Sequence, residues 1–473
     1  MSRITGVQAI FTGDYPDPSI VRVGQDYYMT HSSFHYTPGL LVWHSRNLVD
    51  WEPIGHAISD HVGGSIMAPD LIYHEGLFYI YFPAGGTNFV VTADNPAGPW
   101  SNPVDLKIGY IDPGHAVDQE GNRFLFLSEG YMIPLSKNGL STTGELRQVY
   151  EGWQYPEEWL TEGFYLESPK LTFKDGYYYM TSAQGGTAGP ATSHMIVSAR
   201  AESLYGPWEN SPYNPIVRTA NRSENWWSKG HGTLVDTPEG DWYVVYHAYE
   251  KDYYTLGRQT LIEPLGWTAD GWFKAAEAIG AALSATAGST EATKATDRAL
   301  VRANSEMGLH WHFFGGERLD DYHIEDNDLV LNAVSKDCSK PLLCIPMHHA
   351  YTAEVSVSVE GEAEARLGLF YKPGFYYGIG FDGKNVFAFR DHGASKRIAV
   401  SGDTITLRIV NDHHELSLFF RDLNGQWSKL EYGFEVSGFH HNVLGDFLSL
   451  RIALNATGEG NVRFSGFSYR SGV

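Results

Sequence analysis

Short aromatic and β-branched runs recur along the first half of the chain, each fed by a turn that contains glycine. VGQDYYMT turns near Gly24, HEGLFYIYF at Gly76, QEGNRFLFL at Gly121, KDGYYYMTS at Gly176 and PEGDWYVVYHA at Gly240. A glycine turn feeding such a strand is the sequence pattern of a β-hairpin. The turns are spaced by 52, 45, 55 and 64 residues, and multi-strand repeats of that period predict propeller blades. A second repeat runs in step with the first. HSRNLVDWEP around Trp51, TADNPAGPWSNP around Trp100 and SARAESLYGPWENSP around Trp208 predict equivalent outer strands. Five turns predict five blades; a β-sandwich could carry similar hairpins, but the even spacing favours the propeller.

The pattern then lapses and returns. KAAEAIGAALSATAGSTEATKATDRAL, beginning at Lys274, is rich in Ala, Thr and Ser and holds no aromatic residue, which predicts a linker over 276–304. Beyond it, YTAEVSVSVEGEAEARLGLFYK, FYYGIGF, NVFAFRD, TITLRIV and ELSLFFRD alternate with period two, the signature of a β-sandwich. The fold class expected is all-β: a five-bladed β-propeller over 1–275 followed by a β-sandwich domain over 305–473.

Composition narrows the function. A chain of 473 residues is too long for one ordinary core. The net charge of −22 argues against a nucleic-acid backbone or an anionic membrane as partner and is compatible with a neutral substrate. Cys338 and Cys344 are the two cysteines, too few for a disulfide framework or a zinc site, so two free thiols are expected. No apolar run reaches spanning length, and MSRITGVQAIFTGDYP has no leader pattern; the chain reads as soluble and cytoplasmic. A homo-oligomer is compatible with the sequence, which fixes no assembly state. No dinucleotide-binding glycine loop appears, so no organic cofactor is expected.

Each repeat places an ionisable residue ahead of its turn: Asp17, Asp70, Asp112, Glu167 and His231. The first strand of every propeller blade lines the central axis, so these five segments should converge at one end of it. Carboxylates gathered there raise one another's pKa and mark a site more than a solvated face. Asp17 lies between Pro16 and Pro18. Proline pushes the residue before it towards extended geometry, which predicts a stiff, extended backbone at this acid.

These motifs resemble glycoside hydrolase family 43. DYPDPS, APDL, IDPG, the ESPKL and KDGYYYM stretch, GHGTLVDTPEGDWYVVYHA and GRQTLIEPLGW carry the resemblance over more than half the chain, in the family's order. It implies a five-bladed propeller and an inverting hydrolase of plant cell-wall furanosides and pyranosides. It implies Asp17 as general base, Glu167 as general acid, and Asp112 as the carboxylate that orients the acid and raises its pKa. Glu162, in TEGFYLESPK, is a competing acid whose Glu-Gly also matches the family, but Glu167 alone has the family's register to the turn glycine and to the following proline. For the substrate the resemblance implies Phe34, Arg258, Ala68 and Met67, the last standing where many xylosidase-like members have Trp. Asp70 is expected to support Arg258 or the backbone. His231 matches a histidine that faces calcium in several relatives, so a bound Ca2+ and a purely structural histidine are both open. The second domain resembles the concanavalin-type domain of xylosidase-like members. The implied activity is exo-acting release of a terminal pentose, β-D-xylose first and α-L-arabinofuranose as alternative, from xylan- or arabinoxylan-derived oligosaccharides. A non-catalytic carbohydrate-binding propeller is the reading of another class.

Overall fold

The computed structural model describes residues 4–275, 298–316, 321–333, 340–391 and 393–473. Two compact units form. The first holds the propeller; the second comprises His35–Pro38, Tyr253–Gly257 and the described residues from 298 onward. Of the linker expected at 276–304, residues 276–297 lie outside the described residues.

The first unit contains five antiparallel sheets, here blades I to V. Their innermost strands are Ser19–Val23, Asp70–His74, Gly114–Val117, Glu167–Lys174 and Trp226–Asp236. Each touches the next, and the fifth touches the first, so the ring of five closes. The five turn glycines each join the first strand of a blade to its second. All have positive φ, from +65° at Gly24 to +89° at Gly76, a conformation that glycine adopts without steric cost. Trp51, Trp100 and Trp208 stand just ahead of the outer strands Glu52–Ile58, Val104–Asp105 and Glu209–Asn210, as the second repeat predicts. The outer strand of blade V comes from the other end of the chain. Gln8–Phe11 pairs with Arg258–Trp267, with Ala9 opposite Leu261.

The second strands are buried on both faces, and their alternation explains the stacking. In Tyr177–Gln184, Tyr178 and Met180 enter the core between blades III and IV, while Tyr179 enters the core between IV and V. In Leu77–Ala84, Phe78 and Ile80 face blade I, and Tyr79 and Tyr81 face blade III. The gap between blades V and I is filled by rings of Phe11, Tyr15, His31 and Trp43.

The second unit is built on one long ribbon. Ala350–Lys372 pairs along most of its length with Arg451–Ser471. Its first part also pairs with Thr404–Asp412 and its last part with Phe375–Phe381, so two layers share it. Gly460 sits where the ribbon changes partners; its φ is +125° and a Cβ there would lie 2.0 Å from the Glu360 carbonyl oxygen. Cys344 is a buried free thiol; Cys338 lies outside the described residues. No described helix is long and apolar enough to cross a membrane.

Candidate active site

One repeated step precedes or interrupts each inner strand: Asp17-Pro18, Ala68-Pro69 and Asp112-Pro113 lead into theirs, and Ser168-Pro169 and His231-Gly232 lie within theirs. Register fixes the equivalence, because the residue after each step pairs alike across its hairpin: Ser19 with Thr30, Asp70 with Tyr81, Gly114 with Phe126, Lys170 with Thr181 and Thr233 with Val245. Asp17, Asp112, Ser168 and His231 all have positive φ, between 52° and 59°. The extended geometry expected at Asp17 is therefore corrected. Left-handed backbone at a non-glycine residue costs roughly 1–3 kcal/mol and persists only where its surroundings over-determine it. At Asp17 they do, since its amide and both its carboxylate oxygens are engaged.

The five ionisable residues are not all equivalent. Asp17, Asp112 and His231 share the kinked position, Glu167 stands one residue earlier, and Asp70 two later. Bulges make the difference. An extra residue between Glu167 and Lys170 breaks the pairing of blade IV, and in blade V two irregularities flank Gly230, the second of them spanning His231. Such bulges re-aim side chains at the rims of barrels and beside active sites.

Asp17 is the most heavily bound. Its Oδ2 accepts the Ser32 hydroxyl at 2.5 Å and its Oδ1 the Arg258 Nη1 at 3.1 Å, with His231 Nδ1 3.4 Å from that same oxygen. His247 Nδ1 lies 3.1 Å from both the Asp17 amide nitrogen and Oδ1. Burial holds the His247 ring neutral; its Nδ1 then accepts the amide proton, and its Nε2 donates to Thr187 Oγ1 at 3.1 Å. Burial alone would raise the Asp17 pKa, but the Arg258 guanidinium holds it well below the usual carboxylate range. The expectation that clustered acids all titrate upward fails here, because a cation has joined one of them.

The other two acids follow that expectation. Asp112 is buried, with Oδ2 3.9 Å from His231 Nδ1. Burial and the Asp17 charge push its pKa up to about 7. Glu167, only partly exposed, is raised well above the usual value by burial, then by Asp112 and Asp17. The site thus holds one carboxylate fixed as an anion and two carboxyls that compete for protons.

The remaining candidates divide. Arg258 binds Asp17, and its amide donates to Asp14 Oδ1 at 3.1 Å. Phe34 is buried at φ +47°, with the Arg258 Cζ 5.4 Å from its ring centre. Ala68 is buried at the blade II step, and Met67 beside it is half-buried with its amide on the Pro83 carbonyl. Asp70 supports the backbone, one of the two roles expected of it: its Oδ2 accepts the His115 amide at 2.7 Å. It pairs with Lys170 at 2.8 Å. Glu162 sits exposed on a loop, its Oε2 accepting the Ala188 amide at 2.8 Å. Sequence reading missed His247, Ser32, Thr187 and Lys170. Lys170 alone carried a signal, as a charged residue at the head of an inner strand.

Among the described residues one group could hold a metal ion. Asp17 and the ring nitrogens of His231 and His247 come within 4.8 Å of one another, close enough to hold an ion. Arg258 already occupies the shared oxygen of Asp17. The His231 Nε2, buried and without a hydrogen-bond partner, is the donor left open. Burial pushes the His231 pKa down to about 3, so that nitrogen keeps its lone pair.

A closed propeller that gathers a carboxylate paired with a cation and two acids of raised pKa offers a base and a proton donor side by side. The chain belongs to the glycosyl hydrolases family 43, whose sequence pattern matches residues 8–273. It is 37% identical over 293 residues to the non-reducing end α-L-arabinofuranosidase BoGH43B of Bacteroides ovatus, covering 56% of this chain and 52% of that protein. It is 33% identical to the xylosidase/arabinosidase of Butyrivibrio fibrisolvens, covering 56% and 55%. The matched region thus spans about half the length of these curated relatives. Among solved structures, the GH43 protein BlXynB of Bacillus licheniformis superposes with a TM-score of 0.86 at 26% identity, covering 98% of this chain and all of that one.

Proposed function

We propose that this glycosidase is exo-acting and releases terminal pentose, β-D-xylose first and α-L-arabinofuranose second, from xylan- or arabinoxylan-derived oligosaccharides. The observation that carries the mechanism is the split between the acids: Arg258 pairs with Asp17 and favours its ionised form, while burial and Asp112 favour the protonated form of Glu167. Inversion needs that split. Asp17 removes a proton from water as the water oxygen bonds to the anomeric carbon. The glycosidic C–O bond breaks on the opposite face, and its oxygen takes the Glu167 proton. Solvent then resets both groups. Asp112 and Glu167 titrate as a pair, and the working form has one proton between them, on Glu167.

Relatives named for both sugars support a pentose pocket without ranking the two. Met67, in place of a flat ring, keeps arabinofuranose in contention. Initial rates on matched aryl β-D-xylopyranoside and aryl α-L-arabinofuranoside test the order. A faster xyloside is expected. A faster arabinofuranoside moves the reading to side-chain removal, and background rates on both, with longer oligosaccharides inert too, would remove the pentose reading.

His231 is the residue that would hold a Ca2+ ion, through its open Nε2 or through water, because hard calcium prefers oxygen ligands. When bound, the ion supplies positive charge that favours the ionised form of Asp17. Exhaustive chelation is expected to lower kcat several-fold and added Ca2+ to restore it; unchanged activity removes the ion.

A further inference from the structure

Two residues beyond the kinked step lies a second ring: Ser19, Asp70, Gly114, Lys170 and Thr233. Lys170 spends all three of its protons there. Its Nζ donates to Asp70 Oδ1 at 2.8 Å, to the Pro69 carbonyl at 2.9 Å and to the Pro113 carbonyl at 3.2 Å. Asp70 Oδ2 in turn accepts the His115 amide at 2.7 Å, and Ser19 Oγ reaches Oδ1 at 3.5 Å. One ammonium from blade IV therefore straps the inner ends of blades II and III. Both charged side chains are nearly closed to solvent, at 6% and 7% exposure. Blades III and IV also meet backbone to backbone. A Cβ at Gly114 would lie 1.6 Å from the Pro169 carbonyl oxygen, so only glycine fits.

A buried ion pair is a poor way to gain stability, because desolvation consumes most of its Coulomb energy and apolar residues of similar volume do as well. Its place suggests another use. Pro113 follows Asp112 directly, and Lys170 stands three residues after Glu167 on one strand. We propose that Lys170, held by Asp70, is a positioning residue for the acid half of the site, fixing Asp112 against Glu167 through a single ammonium. The proposal rests on the roles given above to those two acids.

The test compares kcat and KM for Lys170→Met, Lys170→Arg and the double variant Asp70→Asn/Lys170→Met, on an oligosaccharide with a poor leaving group. The double variant guards against misfolding, since it leaves no buried charge unpaired. Both Met variants are expected to lower kcat by roughly 10- to 100-fold with KM little changed, the cost of a small misplacement of reacting groups. Lys170→Arg should recover part of kcat, because a planar guanidinium keeps the charge but cannot repeat three divergent bonds. A folded double variant with wild-type kcat would overturn the proposal and make the pair structural. If Glu167→Gln kept full activity on the same substrate, the roles assigned to the acids would fall, and this proposal with them.

Discussion

Asp17→Asn is expected to lose roughly 10³- to 10⁴-fold in kcat, to the same degree on good and poor leaving groups. The amide keeps the volume of the side chain and an acceptor for Arg258, but it cannot take a proton from water. Leaving-group quality has no bearing on that step, so the loss should be uniform across an aryl glycoside series. The variant carries a structural risk as well. Arg258 is buried at 4% exposure, and removing the Asp17 charge breaks a buried pair, a change that costs about 3–5 kcal/mol. Thermal unfolding followed by near-UV circular dichroism separates the two effects. A folded variant with unaltered substrate affinity and no turnover supports the base. A folded variant within about tenfold of wild type would remove Asp17 from that role.

Much of this site was legible because each of its acids sits six to nine positions before a turn glycine. Asp17, Asp112 and Glu167 announce themselves by an adjoining proline or by the ESPK run, and the blade count follows from the turns. What the pattern could not show is the state of each acid. Arg258 reaches Asp17 from 241 positions away, and Lys170 reaches Asp70 from 100. A local motif records that a carboxylate is present, but not which cation the folded ring brings to it. The kinks escaped for a related reason. Proline's bias at the preceding residue is a local preference, and at Asp17 the bonds from His247, Ser32 and Arg258 outweigh it. Gln8–Phe11 was missed because a four-residue outer strand has no pattern of its own; its partner strand lies at the far end of the propeller sequence. In the second unit the alternating strands stood out, whereas Arg451–Ser471 is interrupted by TGEGN, which reads as a turn until the ribbon it bends with is known.

Glu167→Gln should behave unlike the Asp17 variant, and the contrast identifies the acid. Glutamine has no proton to give, so the leaving oxygen must depart as an anion. For an alkyl or sugar leaving group that step is hard, and a loss of about 10³-fold in kcat/KM is expected; for an aryl group of low pKa the loss should stay within about tenfold. The rate profile should change shape too. In the wild type the basic limb reports loss of the proton that Glu167 holds, at a pKa raised by burial and by Asp112. With glutamine there is no such proton, so that limb should flatten. Glu162→Gln is the matched control. Its carboxylate is exposed, bonds the Ala188 amide and lies off the inner strand, so kcat should stay within a factor of about three on every leaving group. If the steep dependence on leaving group appeared in Glu162→Gln and not in Glu167→Gln, the acid would be Glu162. The bulge that turns Glu167 inward would then need another explanation.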